Sequence, residues 1–265
     1  MSRIEQKFSK VTQAGNTALI TFIMAGDPDL ETSLEVLKSL PENGADIIEI
    51  GMPFTDPAAD GLTIQKAGLR ALEAGTTLNH TLEMVAKFRE TDAETPVILM
   101  GYANPLFAFG MEGFAKSASD AGVDGLIIVD LPPEEDCILR DHAKDNNLDI
   151  IRLITPTTDE KRLPVVLDGA GGFLYYVSIT GVTGTAKPDP DALKPHIVEI
   201  KSHTDLPVVI GFGIRTPDDA KTMASLADGV VVGSSIVEKI ALLQDDKRHI
   251  EPIEDFVKSL SEALK

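Results

Sequence analysis

Eight short apolar segments recur along the chain, and each is followed by a stretch in which apolar residues take helical spacing. The segments begin near residues 18, 46, 97, 125, 149, 173, 207 and 229, at intervals of roughly 22 to 51 residues, and most intervals match one strand–helix unit. They are rich in Val, Ile and Leu, which is typical of parallel strands buried on both faces. Eight such units in about 250 residues predict an α/β fold, the (β/α)8 TIM barrel.

The series predicts a single barrel domain over residues 1–265, because no linker or change of composition interrupts it. Residues 1–13 predict an extra helix before the first strand, and extra helices are predicted after the second and eighth strands. A doubly wound open sheet is the alternative. It would leave an edge strand and usually carries a GxGxxG motif, which does not follow the first strand here.

The composition argues against several classes of protein. The formal net charge of −18 argues against nucleic acids and anionic membranes as partners. No segment approaches the ~18 apolar residues of a spanning helix, and the polar N-terminus lacks the features of a signal peptide. The single cysteine, Cys137, excludes an internal disulfide, and we expect it to pack as a small apolar residue. A single cysteine is compatible with a reducing cytosol, so we expect a cytoplasmic protein. The histidines show no metal-ligand spacing, so we expect no metal site.

A carboxylate interrupts the second apolar segment, residues 46–51. Strand alternation puts Glu49 on one face with Ile47, while Ile48 and Ile50 take the other face. A charge inside an apolar strand is costly unless it is paired or protonated. Glu49 is therefore either half of a buried ion pair or an acid–base group with a shifted pKa, and the strand alone does not decide between them.

The two longest intervals place extra residues where a barrel carries its function, after the C-terminal ends of strands. The interval of about 51 residues holds a loop rich in Pro and Asp plus an extra helix, and the interval of about 34 holds residues 179–190. The first loop ends at Asp60, a second candidate carboxylate. Spacing alone predicts that Asp60 is the N-cap of the helix over residues 60–74.

Glycine clusters follow the sixth, seventh and eighth predicted strands, at residues 181–184, 211–213 and 233, where Ser234 follows Gly233. Glycine lets the backbone approach an anion, and a helix N-terminus offers free N–H groups. Each cluster alone is an ordinary turn, but the loops after strands seven and eight are the usual phosphate site of a barrel. Three clusters in this order predict phosphate binding.

Several apolar residues lie near the C-terminal ends of the predicted strands. They form either the upper layer of the barrel core or an apolar pocket above it. Tyr175 and Tyr176 are adjacent on the sixth strand, so one faces the barrel and the other the helices. The apolar group comprises Phe22, Met100, Tyr102, Ile127, Val129 and Phe212.

Four motifs together resemble the tryptophan synthase alpha chain family over essentially the whole chain. They are EIGMPFTDPAADG at residues 49–61, ITGVTG at 179–184, GFGI at 211–214 and GSSIV at 233–237, and the first is highly specific. The resemblance implies a (β/α)8 barrel and a lyase that cleaves indole-3-glycerol phosphate to indole and D-glyceraldehyde 3-phosphate in tryptophan biosynthesis. A non-catalytic, ligand-sensing regulatory subunit is the alternative.

The resemblance also implies roles for individual residues. Glu49 would be the acid–base group and Asp60 the second catalytic carboxylate, with Tyr175 beside them. The remaining residues fall into two groups. The substrate pocket would comprise Phe22, Met100, Tyr102, Ile127, Thr183 and Phe212, and the phosphate site would comprise Gly184, Gly213, Gly233 and Ser234.

The family works with a beta chain in an alpha2-beta2 heterotetramer, and only the beta chain carries pyridoxal phosphate. The resemblance therefore implies no cofactor in this chain and a partner surface on the rim of the barrel. That surface would run from Pro53 to Asp60, from Asn104 to Phe107 and from Asp130 to Pro133, with apolar Leu106, Phe107 and Leu131 outside the core. The chain departs from the family pattern at Thr55, Leu62, Arg215, Ser235 and residues 187–190.

Overall fold

The computed structural model describes residues 1–177, 190–211, 213–244 and 249–265. Within these residues it contains nine strand segments, and all neighbouring segments pair in parallel. The strands are β1 (Ala18–Met24), β2 (Ile47–Gly51), β3 (Val97–Gly101), β4 (Gly125–Ile128), β5 (Asp149–Ile150), β6 (Arg152–Ile154), β7 (Leu174–Val177), β8 (Val208–Gly211) and β9 (Gly229–Val232).

The order of the strands closes the sheet into a barrel. The hydrogen-bonded order is β5-β4-β3-β2-β1-β9-β8-β7-β6, and only Ile151 separates β5 from β6 in the chain. β5 pairs with β4 and β6 pairs with β7, so the two outermost segments are halves of one strand. The predicted fifth strand is thus divided because it changes partner along its length. This closure confirms the barrel and excludes the open sheet.

Helices follow the strands around the ring. The extra helices predicted before the first strand, after the second and after the eighth are present as α1, α3 with α4, and α11 with α12. The helices are α1 (Arg3–Gln13), α2 (Leu30–Glu42), α3 (Leu62–Glu73), α4 (Leu78–Arg89), α5 (Ala103–Phe109), α6 (Met111–Ala121), α7 (Cys137–Asp145), α8 (Leu163–Leu167), α9 (Pro190–Lys201), α10 (Pro217–Ala224), α11 (Ser234–Ile240) and α12 (Glu251–Ala263), with a 3-10 turn at Ala241–Gln244.

The barrel interior is apolar and is closed at its N-terminal end by α1. Ile4, Phe8 and Val11 of α1 belong to the same buried cluster as the inward side chains of the strands. The rings of Phe8 and Phe173 lie 5.8 Å apart. Because helix α1 plugs this end, only the opposite mouth, at the C-terminal ends of the strands, is left for a substrate.

Aspartates at the N-terminal rim of the barrel are structural. Asp46, Asp124 and Asp228 each precede a strand and accept a hydrogen bond from a backbone N–H of the neighbouring strand, at 2.8 to 3.0 Å. Asp124 also pairs with Arg3 and Arg89, at 2.9 and 2.7 Å. These carboxylates are satisfied by partners, as buried charges must be.

Two expectations about burial are wrong. Cys137 is exposed, because it is the first residue of α7 rather than part of a helix beginning near residue 133. Leu106, placed outside the core by the sequence analysis, is fully buried, because Asn104 to Phe107 belong to α5, which turns Leu106 inward. None of the described helices is long and apolar enough to cross a membrane.

Candidate active site

Glu49 lies in the middle of β2 and faces the barrel interior. Its neighbours in register are Phe22 of β1 and Ile98 of β3, and Ile98 belongs to the interior cluster. The side chain is 0% exposed. Among the described residues, neither carboxyl oxygen has a hydrogen-bond partner. Burial raises the pKa of Glu49 to about 8, so the group is protonated at neutral pH.

This environment decides whether Glu49 is half of a buried ion pair or an acid–base group with a shifted pKa. A buried ion pair would show a cation near the carboxylate, as Asp124 does with Arg89. No such cation is found for Glu49 in the part of the chain that the structure describes. The carboxyl group avoids the cost of a buried charge by keeping its proton. An acid of this kind in a barrel mouth is a candidate for proton transfer.

Tyr175 shares the interior with Glu49. It lies on β7, is buried, and belongs to the cluster that fills the barrel. Burial raises its pKa well above the ordinary value, and the charge of Glu49 raises it further. Gly211 on β8 leaves room for the ring: a Cβ atom there would lie 2.1 Å from the Tyr175 hydroxyl. A glycine at this position therefore lets a tyrosine stand near the Glu49 carboxyl group.

Asp60 ends the loop after β2, but it does not cap the helix that follows. The N-cap of α3 is Gly61, and no side chain caps that helix end. The half-buried Asp60 side chain instead accepts a hydrogen bond from the Tyr102 hydroxyl. Burial raises the pKa of Asp60, while the bond from Tyr102 opposes that rise. Asp60 is thereby held by Tyr102 rather than used as a cap.

Tyr102 contacts several residues of the loop after β2. Its hydroxyl oxygen also accepts a hydrogen bond from the Ala59 N–H, at 3.0 Å, and its ring lies 5.5 Å from that of Phe54. The chain at Tyr102 is fixed in turn, because the Ala103 N–H donates to Asp130 at 2.8 Å. Tyr102 thus holds both ends of the loop that carries Asp60. Sequence reasoning missed this role, since contacts between two loops leave no periodic signal.

An apolar cluster lies beside the carboxyl groups. Phe22 and Met24 of β1 pack with side chains from two helices, and Met100 packs against them. Ile127 lies deeper, fully buried in the interior cluster. The helical members, Ala67 and Ala71 of α3 and Val237 of α11, were not expected from the sequence, because only strand ends were considered.

Two of the three glycine clusters are described. Gly213 follows β8 with a φ of +81°, a left-handed conformation that favours glycine. Gly233 precedes α11 and has no capping side chain, and Ser234 is the first residue of that helix. N–H groups in a first helical turn have no partner within the helix. The third cluster falls on residues 178–189, so Thr183 and Gly184 lie outside the described residues, as does Phe212.

The cradle formed by Gly213, Gly233 and Ser234 lies at the same mouth as Glu49. A Cβ atom at Gly233 would lie 3.3 Å from the Cβ atom of Phe22, and Phe22 is the register neighbour of Glu49. The cradle and the buried carboxyl group therefore flank the same residue of β1. No cluster of His, Cys, Asp and Glu able to hold a metal ion occurs within the described ranges.

Comparison with known proteins finds similarity to one family along nearly the whole chain. The family model described as tryptophan synthase alpha chain matches residues 8–265. Tryptophan synthase subunit alpha of Legionella pneumophila is 37% identical, with a TM-score of 0.92, over 100% of this chain and 98% of that one. A structure from Aquifex aeolicus is 38% identical, with a TM-score of 0.92, over 100% of both chains.

A third structure is of tryptophan synthase from Mycobacterium tuberculosis in its aminoacrylate-bound form. It is 30% identical, with a TM-score of 0.88, over 100% of both chains. The matches extend beyond the four motifs to the complete barrel, and their identities are well above the level at which only a fold is shared. The chain belongs to the tryptophan synthase alpha chain family.

Proposed function

We propose that Glu49 and Asp60 are the catalytic groups with which this chain carries out the alpha reaction of tryptophan biosynthesis. The reaction cleaves indole-3-glycerol phosphate to indole and D-glyceraldehyde 3-phosphate. The observation that carries the assignment is the Glu49 carboxyl group, which is fully buried, has no hydrogen-bond partner among the described residues and has a pKa raised to about 8.

Glu49 moves the proton that the bond cleavage requires. Breaking the bond between indole C3 and the glycerol chain is a retro-aldol step. C3 gains a proton, and the hydroxyl on the adjacent chain carbon loses one as that carbon becomes the aldehyde. A carboxyl group that is protonated at neutral pH gives its proton to C3, and the resulting carboxylate takes the hydroxyl proton. Glu49 is thereby returned to its starting state.

Asp60 stabilises the charge that this proton transfer creates. Protonation at C3 leaves the ring nitrogen electron-poor, and an ionised carboxylate that accepts the N–H hydrogen bond stabilises it only as the charge develops. The hydrogen bond from Tyr102 supports the ionised form of Asp60. The two carboxyl groups thus take opposite protonation states, one kept neutral by burial and the other supported as an anion.

The other site residues bind and orient the substrate. Gly213, Gly233 and Ser234, together with Gly184, hold the phosphate through backbone N–H groups. The indole ring occupies the apolar cluster around Phe22 and Met100, with Tyr102, Ile127, Thr183 and Phe212 completing the pocket. Tyr175, neutral because its pKa is raised, offers a hydroxyl donor beside Glu49.

The chain works as one subunit of a larger enzyme. We infer a beta-chain partner, an alpha2-beta2 heterotetramer in the cytoplasm, and pyridoxal phosphate in the beta chain alone. The rim from Pro53 to Asp60, with Phe107 and Leu131, is the partner surface. Phe107 is 55% exposed, which suits a contact residue, whereas buried Leu106 is not part of it. The closed ring of strands supports one domain over residues 1–265.

The test is indole release by the purified full chain. Glu49→Gln keeps the size of the side chain but cannot give and retake a proton, so the rate should fall on the order of 10² to 10⁴-fold. Glu112→Gln, on the surface of α6, is the matched control and should keep the wild-type rate. Indole release by Glu49→Gln at the rate of the control would refute the assignment.

A further inference from the structure

A polar network flanks the cradle on its outer side. Arg215 lies two residues beyond Gly213, and Glu238 lies four residues beyond Ser234 on α11. The Arg215 Nη2 and Glu238 Oε1 atoms are 3.6 Å apart. The Thr63 hydroxyl donates to the same Glu238 oxygen at 3.3 Å. One carboxylate therefore joins the loop after β8, helix α11 and the first turn of α3, three segments that border the mouth.

The backbone at Arg215 is held by hydrogen bonds, while its side chain is more than half exposed. The buried Ser235 hydroxyl donates to the Ile214 carbonyl at 3.3 Å. The N–H groups of Arg215 and Thr216 both donate to Asp219, at 3.2 and 3.1 Å. The Arg215 side chain is nevertheless 56% exposed. The guanidinium group is therefore carried on an anchored backbone beside the cradle and is open to solvent.

The Arg215–Glu238 pair lies close to the cradle. Four residues of helix rise about 6 Å, so the Arg215–Glu238 pair lies about one turn from Ser234. The cation that α11 itself carries is turned elsewhere: the Lys239 ammonium lies over the Phe256 ring, 4.8 Å from its centre. Arg215 is the cation of this network, two residues from Gly213 of the cradle, in a protein whose net charge of −18 otherwise repels a phosphate.

The Arg215–Glu238 ion pair is weaker than a contact between Arg215 and a phosphate would be. An exposed pair at 3.6 Å contributes little, because water and salt screen it. A phosphate dianion carries more charge than a carboxylate and accepts paired N–H bonds from a guanidinium group. Replacement of Glu238 by the substrate phosphate as the partner of Arg215 therefore stabilises the substrate complex.

We propose that Glu238 is a positioning residue that holds the Arg215 guanidinium group beside the cradle, and that the substrate phosphate takes Arg215 over on binding. The inference rests on the proposed function, since it assigns a further binding residue to that same phosphate site. Arg215 then supplies the charge that backbone N–H groups lack. Glu238 keeps the side chain near the site while no phosphate is bound.

The experiment measures inhibition of indole release by inorganic phosphate, with KM and kcat for indole-3-glycerol phosphate, in the full chain. Arg215→Ser should raise both the phosphate Ki and KM by about threefold to tenfold while kcat changes less than twofold, and Arg215→Lys should recover part of the loss. Glu238→Gln should lower the phosphate Ki about twofold, because Arg215 loses its competing partner. In the Arg215→Ser background the same change should have a smaller effect.

Lys116→Ser is the matched control. Lys116 also forms an exposed ion pair, with Asp120 at 2.7 Å, but on α6 and away from the cradle. A phosphate Ki for Arg215→Ser within twofold of the control, or equal effects of Glu238→Gln with and without Arg215, would overturn the proposal. Absence of indole release from the wild-type chain would instead count against the proposed function. Circular dichroism checks that each variant is folded.

Discussion

A carboxyl group with no partner in an apolar interior ties the stability of the protein to its protonation. The folded-state pKa of Glu49 is about 8, against an ordinary value of 4.5, so the folded chain holds this proton over a pH range in which the unfolded chain has lost it. Stability from this group is complete below about pH 4.5 and is lost as the pH rises through 8. The raised pKa on which the proposed catalytic role rests thus also makes the barrel less stable in base.

Glu49→Gln should remove that pH dependence. Glutamine is neutral at every pH, so the free energy of unfolding of the variant should exceed that of wild type by a growing amount, reaching a few kcal/mol at pH 9. Urea unfolding at pH 5 to 9 measures this. A constant difference between the two proteins across that range would contradict a raised pKa.

Tyr102 provides a second prediction at the scale of one residue. Tyr102→Phe removes the hydrogen bond to Asp60, which favours the ionised form. We expect kcat/KM to fall about tenfold to a hundredfold, the equivalent of one hydrogen bond to a charged group, and the acid limb of the pH–rate profile to move to higher pH.

Tyr176→Phe is the control for that change. Within the described residues the buried Tyr176 hydroxyl has no hydrogen-bond partner, and alternation turns it away from the barrel interior. Its removal should leave the pH–rate profile where it is. Equal profiles for Tyr102→Phe and Tyr176→Phe would show that the contact with Asp60 does not matter for catalysis.

At the scale of elements, strands and their order were predictable because burial on both faces gives continuous apolar segments. Alternation in β2 also placed Glu49 on the interior face correctly. The division of residues 149–154 into β5 and β6 was not predictable, because a change of pairing partner leaves no mark on local sequence. Helices α7 and α8 begin later than expected. Before α8, Asp159 instead accepts the N–H groups of Lys161 and Arg162 in a turn.

Contacts between elements form the part of the site that sequence could not give. Asp60 meets Tyr102 because two separate strand–helix loops converge on one mouth, and Glu238 of α11 meets Arg215 of the loop after β8. Glu49 was identifiable because a charge in an apolar strand is locally anomalous. The three glycine clusters stood out because their order matches the barrel's phosphate loops, and phosphate binding there stays a prediction.

Packing of β8 against β7 gives a prediction at this scale. A Cβ atom at Gly211 would lie 2.1 Å from the Tyr175 hydroxyl and 2.3 Å from two ring carbons, so Gly211→Ala must displace the ring from its place near Glu49. We expect kcat to fall on the order of tenfold. Gly113→Ala is the control, because a Cβ atom at that position in α6 would have no neighbour nearer than 3.8 Å, and it should keep the wild-type kcat. A loss of kcat of similar size in Gly113→Ala would show that the effect of Gly211→Ala does not depend on Tyr175.

The whole molecule is asymmetric along the barrel axis. One end is plugged by α1 and held by aspartates with partners, while the other carries the carboxyl groups, the cradle and the proposed partner rim. Substrate and partner would therefore meet the same end of the barrel.

The rim gives a prediction about assembly. Phe107→Glu places a charge on an apolar side chain that is 55% exposed, and it should weaken binding of a beta chain at least tenfold, because a buried unpaired charge is costly. Val198→Glu is the control, since Val198 is 61% exposed on α9, outside the proposed rim. Isothermal titration calorimetry measures the affinity of both variants for the beta chain. Equal affinities would show that the interface lies elsewhere.

The central claim is that Glu49 carries a proton at neutral pH and uses it. Infrared difference spectra of wild type minus Glu49→Gln, recorded from pH 5 to 10, measure the protonation of that one carboxyl group directly. The account predicts a protonated carboxyl band at pH 7 that disappears with a midpoint near pH 8. A Glu49 that is already ionised at pH 6 would contradict it.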